Sequence, residues 1–344
     1  MTTDHKVAVY GAYGHTGRFV VAELRDRGFL PVLSGRDAGK LQALAASCPG
    51  AGARPAPVGD PASLDRALAG AAAVINCAGP FAATAAPLIE AALRAGVPYV
   101  DVAGEIEASA DTFAGFSDRA RAAGAVVVPA MAFYGGLGDL LITAAMGDWT
   151  AADEAEIAYA LSSWHPTAGT RASSEVTRRR RNGRGRVRYS NGQLEYRQDA
   201  APALQWSFPE PVGLRAVIGE FTTADVVTVS SHLSVPEVRT HMTVEAAREV
   251  LAPDTPAPAA ADEQGRSAQT FLVDAVVRRG GTERRAVARG RDIYAVTAPL
   301  AVEAVHRILT GRTRTVGVVS AGAVFDAPGF LRALSAHISF ELVR

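Results

Sequence analysis

Three glycines, Gly11, Gly14 and Gly17, stand at intervals of three within VAVYGAYGHTGRFVVAEL (7–24), between an apolar run and an amphipathic one. KVAVYG (6–11) reads as a strand. Residues 15–27 read as a helix with Phe19, Val20, Val21 and Leu24 inward and Gly28 as its stop. Glycines at a strand-to-helix turn permit a tight reversal, close backbone approach to a pyrophosphate and close packing of helix on strand. Free N–H groups at the helix start, with the positive end of the helix dipole, then hold the phosphates. A glycine triplet alone also fits an ordinary turn, so its context decides.

That context is an alternation of strands and helices. LPVLSG (30–35), helix 38–46, a short strand near 54–58, helix 61–69 and AAVINCAG (72–79) come first. Helix 84–95, VPYVDVAG (97–104), helix 109–123 and AVVVPA (125–130) follow. The spacing predicts parallel βαβ units, hence an α/β chain with a Rossmann-type doubly wound parallel sheet. Ligands bind such sheets outside the carboxyl ends of the strands. The turn is therefore expected to hold a dinucleotide, through Gly11, Tyr13, Gly14, His15, Thr16 and Gly17. Where NAD-type sites carry an acid at the end of the second strand, this chain has Ser34, Gly35 and Arg36, with Lys40 one helical turn later. A guanidinium and a hydroxyl there suit a 2′-phosphate, so NADP is expected over NAD. Asp37 lies one position beyond and is expected to cap the next helix.

A length of 344 residues suggests two domains, and 48% hydrophobic residues can fill two cores. Lys+Arg and Asp+Glu are equal at 35 each, so no overall charge points to nucleic acid or a membrane surface. Two cysteines, Cys48 and Cys77, form no CxxC pair; with no signal peptide read before the first strand, a cytoplasmic location is expected. The segment 122–146 has Asp139 as its only charge, but Pro129, Gly135, Gly136 and Gly138 break it, so no membrane span is expected. Seven histidines show neither HxxxH nor HExxH spacing, and no metal site is expected.

From about residue 150 the texture changes. Alternating β-branched runs at 154–162, 186–190, 225–233, 238–244 and 269–278, with helical patterns at 245–251 and 299–310, predict a second α+β domain with a mixed sheet. The expected division is 1–140 for the nucleotide domain and 141–344 for a substrate and oligomerisation domain, with the segment from about 312 packing back on the first. APDTPAPAAADEQG (252–265) reads as a mobile surface loop or hairpin excursion. Arg178–Arg181 and the following NGRGRVR read as a solvated, mobile basic loop, with docking of an anionic substrate or a phosphopantetheine-carrying partner as the next reading. No nucleic-acid motif accompanies it. Asp101 and Glu105 end the fifth strand, where capping and bracing are expected ahead of catalysis.

YGAYGHTGR (10–18), SGRDAGKL (34–41), VINCAGPF (74–81) and ALRAGVPYVDVAGE (92–105) together resemble the NADP-binding half of the saccharopine dehydrogenase-like reductases. That family includes saccharopine reductase and trans-acting enoyl reductases of lipid and polyketide pathways. PTAGTRASS (166–174), WSFPEPVG (206–213), ADVVTVSSHL (224–233), ARGRDIYAVTA (288–298) and GVVSAGAVFDAPGFLRAL (317–334) resemble its second half more loosely. The resemblance implies a two-domain enzyme using NADPH and leaves the substrate open. It implies that Gly11, Gly14 and Gly17 form the phosphate loop and that Arg36 takes the 2′-phosphate. Asn76, Ala78, Gly79 and Pro80 then pass the ribose and nicotinamide. Cys77 in that loop reads as a small buried thiol, since nothing near it in sequence lowers its pKa.

Hydride chemistry belongs to the nicotinamide, and the protein positions the acceptor and manages charge. For an amino-acid imine, Arg171 is the expected carboxylate clamp. For an enoyl substrate, Tyr134 or His165 is the expected proton donor. Phe133, Tyr134, Leu137, Trp164 and Trp206 supply an apolar channel at the domain interface. The comparison favours reduction of a C=C or C=N bond in a small, largely apolar molecule, free or carrier-bound. The alternatives are a saccharopine-type reductase and a non-catalytic NADP sensor or assembly subunit. A homodimer is the expected assembly.

Overall fold

The computed structural model describes residues 5–221 and 223–343. Six strands of the first half are β1 (Lys6–Tyr10), β2 (Leu30–Gly35), β3 (Gly52–Pro55), β4 (Ala73–Asn76), β5 (Tyr99–Asp101) and β6 (Val126–Val128). Five helices connect them: α1 (His15–Asp26), α2 (Ala38–Ala46), α3 (Pro61–Leu68), α4 (Phe81–Ala95) and α5 (Ile106–Ala122). After β6 a π-helical turn at Phe133–Leu137, kinked at Tyr134 and Gly135, leads into α6 (Gly138–Met146).

The second half runs through β7 (Glu154–Leu161), α7 (Ala168–Arg181), β8 (Arg186–Ser190), β9 (Gln193–Arg197), β10 (Ala203–Ser207) and β11 (Leu214–Ile218). Then come α8 (Asp225–Ser230), β12 (Glu237–Thr243), α9 (Val244–Leu251), β13 (Thr270–Arg279), β14 (Thr282–Arg291) and α10 (Thr297–Leu309). The chain ends with β15 (Gly317–Val318), α11 (Ala321–Val324), α12 (Ala327–Ala333) and β16 (Ile338–Val343).

The first sheet has the order β15-β6-β5-β4-β1-β2-β3, with all its pairings parallel. Its strand order reverses beside β1, which places the crevice at the carboxyl ends of β1 and β4. The second sheet is mixed, in the order β10-β11-β12-β7-β13-β14-β16, with β8 pairing β12 and β9. Within it β12 and β7 run parallel and β13 and β14 form a long antiparallel hairpin. Phe271, Val273, Ala275 and Val277 of β13 join the main core, while Leu272 and Val276 belong to a separate cluster on the opposite face. Helix α10 ties the halves together: Glu303 accepts from Arg27 of α1 and from Arg307, at 2.6 and 2.7 Å.

Four expectations change. The β-branched run at 225–233 is not a strand but the helix α8 over Asp225–Ser230 followed by a turn, because Val226, Val227 and Val229 are buried in the main core and α8 packs beside the Phe133–Leu137 turn; packing overrides strand propensity there. The basic run is not a loop. Arg178–Arg181 end α7, where the helix dipole favours cations, and the following residues enter the β8–β9 hairpin. The segment from 312 divides: β15 extends the first sheet beside β6, but β16 pairs with β14 of the second. The exposed faces of β9, β10, β11, β14 and β16 hid five strands of the second sheet from a reading based on apolar alternation. Among the described residues, no helix is long and apolar enough to cross a membrane, and no group of His, Cys, Asp or Glu is arranged to hold a metal.

Candidate active site

The glycine turn is built from backbone. Gly11 has φ +83° and donates its N–H to the Ser34 carbonyl at 2.8 Å; a Cβ on it would stand 2.9 Å from the backbone nitrogen of Ala78. Gly14 donates to the Gly11 carbonyl at 2.9 Å. A Cβ on Gly17 would stand 2.2 Å from that same carbonyl oxygen, so α1 can sit this close to β1 only without a side chain. Helices α2 and α3 are capped by the Asp37 and Asp60 carboxylates, which accept from Lys40 and Ser63 N–H at 3.0 and 3.2 Å. Helix α1 has no side-chain cap and no acid in its first turn. Its opening N–H groups are left for an anion, which fits a dinucleotide pyrophosphate.

At the end of β2, Arg36 is exposed and holds no hydrogen-bond or ion-pair partner among the described residues. Lys40 lies 3.7 Å from the Asp37 carboxylate, with its ammonium 5.7 Å from the Tyr13 ring centre. Tyr13 packs over Gly35, where a Cβ would meet its ring at 3.0 Å. Ser34 departs from expectation. It is buried, and its hydroxyl donates to the Arg54 carbonyl at 2.9 Å, which leaves Arg36 and Lys40 as the exposed polar side chains at this strand end. His15 turns edge-on to Phe19 and Tyr294, with its Nε2 closed off; burial pushes its pKa down and keeps the imidazole neutral. Thr16 reaches the crevice.

The loop after β4 is shaped by a buried polar network. The Asn76 amide donates to Thr84 and Tyr99 hydroxyls, each at 3.1 Å, and its oxygen accepts from Ala78 N–H at 3.0 Å. Asn76 thus sets the path of Ala78, Gly79 and Pro80, with its own side chain turned away from the crevice. Glu105 accepts from the Phe81 and Ala82 N–H groups at 2.8 and 3.0 Å, bracing the start of α4. Asp101 accepts from Tyr99, Ala103 and Ala130, and burial still raises its pKa to about 6. Burial, with the Asp101 charge added, pushes the Cys77 thiol up, so it stays protonated and is a poor nucleophile.

Between the two sheets lies a crevice of about 960 Å³. Thr16, Cys77, Gly79 and Gly104 form its nucleotide side, and Phe133, Tyr134, Trp164 and Phe221 its aromatic wall. Tyr294, which the sequence reading did not single out, fixes the opposite edge. Its hydroxyl lies within 3.1–3.3 Å of Thr170 Oγ1, the Thr167 N–H, Trp164 Nε1 and the His165 carbonyl.

The expected catalytic residues fare differently. Tyr134 contributes its ring, but its hydroxyl is closed off from water and has no hydrogen-bond partner among the described residues; burial, with Tyr294 and Asp225 nearby, holds its pKa well up. The ring is clamped by Phe133, Tyr159 and Trp164, with centroids 4.9–5.2 Å away. His165 is held by its backbone and its side chain is not part of the crevice lining. Arg171 lines the crevice, yet its guanidinium donates to the Ala252 and Thr255 carbonyls at 3.3 and 2.6 Å, anchoring the 252–265 loop. Leu137 is fully buried beneath the wall. Trp206 is on the far face of the second sheet, donating to Asp274 at 2.8 Å.

Behind the wall sits a cluster that the sequence did not signal. Asp225 is fully buried, and the Tyr159 and Thr223 hydroxyls and the Gly135 amide face its carboxylate without the hydroxyls aligning to close a hydrogen bond. Burial raises this carboxyl to about 6. A Cβ on Gly138 would stand 2.0 Å from Asp225 Oδ1, so the glycine makes room for the acid.

Comparison with known proteins agrees with this layout. Residues 7–128 match the saccharopine dehydrogenase NADP binding domain. A probable mitochondrial saccharopine dehydrogenase-like oxidoreductase of Arabidopsis thaliana is 30% identical over 144 residues, covering 38% of this chain and 32% of that protein. The saccharopine dehydrogenase-like oxidoreductase of Mus musculus is 27% identical over 154 residues, covering 39% of this chain and 36% of that protein. The matches thus span about a third of each relative's length. Apo saccharopine dehydrogenase (L-Glu forming) from Saccharomyces cerevisiae superimposes with a TM-score of 0.66 at 14% identity, covering 99% of this chain and 100% of that one, so the two share a fold.

Proposed function

Since residues 7–128 belong to the saccharopine dehydrogenase NADP-binding domain family, we propose that the chain is an NADPH-dependent oxidoreductase. It transfers hydride to a C=C or C=N bond of a small, largely apolar molecule. The observation that carries this reading is the crevice of about 960 Å³, open beside the glycine turn and the loop after β4, and walled by Phe133, Tyr134, Trp164 and Phe221. A sensor would have the nicotinamide face blocked; here that side has room for a second molecule.

NADPH, when bound, supplies the hydride. The α1 N-terminus holds the pyrophosphate, Arg36 and Lys40 face the 2′-phosphate, and the Ala78–Pro80 loop borders the ribose and ring. Phe133 and Trp164 exclude water from one face of the acceptor. With the Tyr134 hydroxyl closed off from water and the His165 side chain outside the lining, the proton that completes reduction comes from solvent through the open side of the crevice. Arg171, already engaged by two carbonyls, has fewer donors left for an amino-acid carboxylate, which weighs against saccharopine-type chemistry. The free cysteines suit a reducing cytoplasm. Exposed Leu204 on the edge strand β10 and Leu214 on its neighbour β11 give a homodimer an apolar contact, which light scattering decides.

The test is NADPH oxidation with a panel of enoyl and cyclic-imine compounds, run beside glutamate plus the lysine semialdehyde. Turnover in the panel is expected. Turnover confined to the amino-acid pair would replace this reading with the saccharopine-type one, and none at all with the sensor.

A further inference from the structure

Helix α7 spans the crevice with none of its 14 residues buried. A helix that is polar on all sides is held by its ends and by what it meets. One end is the Thr167 cap beneath Tyr294; the other carries Arg180 and Arg181, paired at 2.5 Å with Asp111 and Glu107 of α5. Between these ends, Thr170, Ser173, Ser174 and Thr177 line the crevice, at the spacing of one helix face. Thr170 is tied through the Tyr294 hydroxyl to Trp164, and Ser173 stands against Gly79, so this face adds hydroxyls to a crevice whose wall is aromatic, a lining that suits a molecule with an apolar body and a polar edge.

The charged residues of the lining say where that molecule ends. Arg171 is engaged by the Ala252 and Thr255 carbonyls, Arg181 by Glu107, and Arg186 by Glu220. Glu105 holds the Phe81 and Ala82 amides, and Glu175 pairs with Arg179. The side chain of Arg178, one turn beyond Ser174, has no hydrogen-bond or ion-pair partner among the described residues. Its guanidinium presents a full fork of donors at the crevice edge, a geometry made for a carboxylate or phosphate.

We propose that α7 is the specificity wall of this site, and that its ligand is an amphiphile whose anionic end seats on Arg178 while its apolar body lies against Phe133 and Trp164. The inference rests on the crevice being the substrate site, but its test needs no turnover. Failure of the reductase assay therefore leaves it standing.

Calorimetric titration of the full chain, saturated with NADP⁺, with three probes of one ring system provides the test: 1-naphthyl phosphate, 1-naphthaleneacetate and neutral 1-naphthaleneethanol. At least one anion is expected to bind about tenfold or more tighter than the alcohol, a charge-assisted pair being worth at least that factor. Arg178→Gln should bring the anion down to the level of the alcohol without changing the alcohol, and Arg178→Lys should restore part of the difference. Preference for the phosphate identifies a phosphorylated carrier or ester; preference for the acetate identifies a free acid. Anions binding no tighter than the alcohol, no binding by any probe, or an equal loss in Arg179→Gln would overturn the proposal.

Discussion

Helices α1 and α7 face each other across the crevice and are built on opposite terms. Helix α1 buries Gly17, Val20, Val21 and Leu24, starts at an uncapped glycine and offers backbone N–H groups. Helix α7 buries nothing, starts at a Thr167 cap and offers side chains, with arginine pairs fixing its far end. Backbone binding demands closeness, which a packed helix and missing Cβ atoms provide. Side-chain binding demands only reach, so α7 can change its sequence and keep its place. On the proposed reading, one side recognises what nucleotides share, and the other can be tuned to a particular substrate.

The sharpest way to break the comparison is at its tightest point. Gly17→Ala puts a methyl 2.2 Å from the Gly11 carbonyl, and backbone has nowhere to yield. A loss of about 3 kcal/mol or more in stability is expected, with NADPH binding abolished, as urea melts and fluorescence titration would read. The same change at Gly169 of α7, where the nearest atom to a Cβ is the Thr167 hydroxyl at 3.6 Å, should be harmless.

Asp225→Asn probes the aromatic wall from behind. Burial holds this carboxyl at about 6 against an ordinary 3.8, so between those values the unfolded chain has released a proton that the fold retains. Wild-type stability from this group therefore falls as pH rises from about 4 to about 6 and stays lowered above. The asparagine variant lacks that fall. Its advantage should grow across the same window to at most about 3 kcal/mol, two units at about 1.4 kcal/mol each. An advantage that is constant with pH would remove the buried charge from the account.

On the nucleotide side, Arg36→Ala should weaken NADPH by about 1.5–3 kcal/mol and leave NADH nearly unchanged, as expected for one charge-assisted contact. Equal losses for both would reassign the 2′-phosphate corner. On the α7 side, Arg181→Gln leaves Glu107 without its guanidinium in a pair that is only 18% and 9% exposed. About 1–2 kcal/mol is expected, between the values of exposed and buried pairs, with faster proteolysis within 168–190. The smallest effect is Tyr134→Phe, which removes a hydroxyl that is closed off from water and has no hydrogen-bond partner among the described residues. Turnover within about twofold of wild type is expected from a group that makes no transition-state contact; a loss of two orders of magnitude would restore it as the proton donor.

The difference between the two helices also explains what could be read from residues alone. Gly11, Gly14 and Gly17 are contiguous, and their role is local, so a short pattern carried the nucleotide side together with the βαβ order around it. Asp37 announced its capping role in the same local way. The substrate side is assembled from distant pieces: Tyr294 meets Trp164 and Thr170 across more than a hundred residues, and Asp225 meets Tyr159 and Gly138 across a sheet and two helices. No spacing rule links such positions. Ser34 stands at the end of β2 as the pattern predicts, but its hydroxyl is claimed by the distant Arg54 carbonyl, and Tyr134 sits in a turn kinked at Gly135 that no strand or helix pattern announces. The arginine run misled for a related reason. Its charge suggested solvent, and the acids that order it are on α5, some seventy residues away.

A structure of the chain with NADP⁺ bound tests the central claim most directly. The account predicts the pyrophosphate on the N–H groups that open α1, the 2′-phosphate beside Arg36, and the nicotinamide bordering open space in front of Phe133 and Trp164. A nicotinamide sealed against protein, with no room beside it for a second molecule, would contradict it.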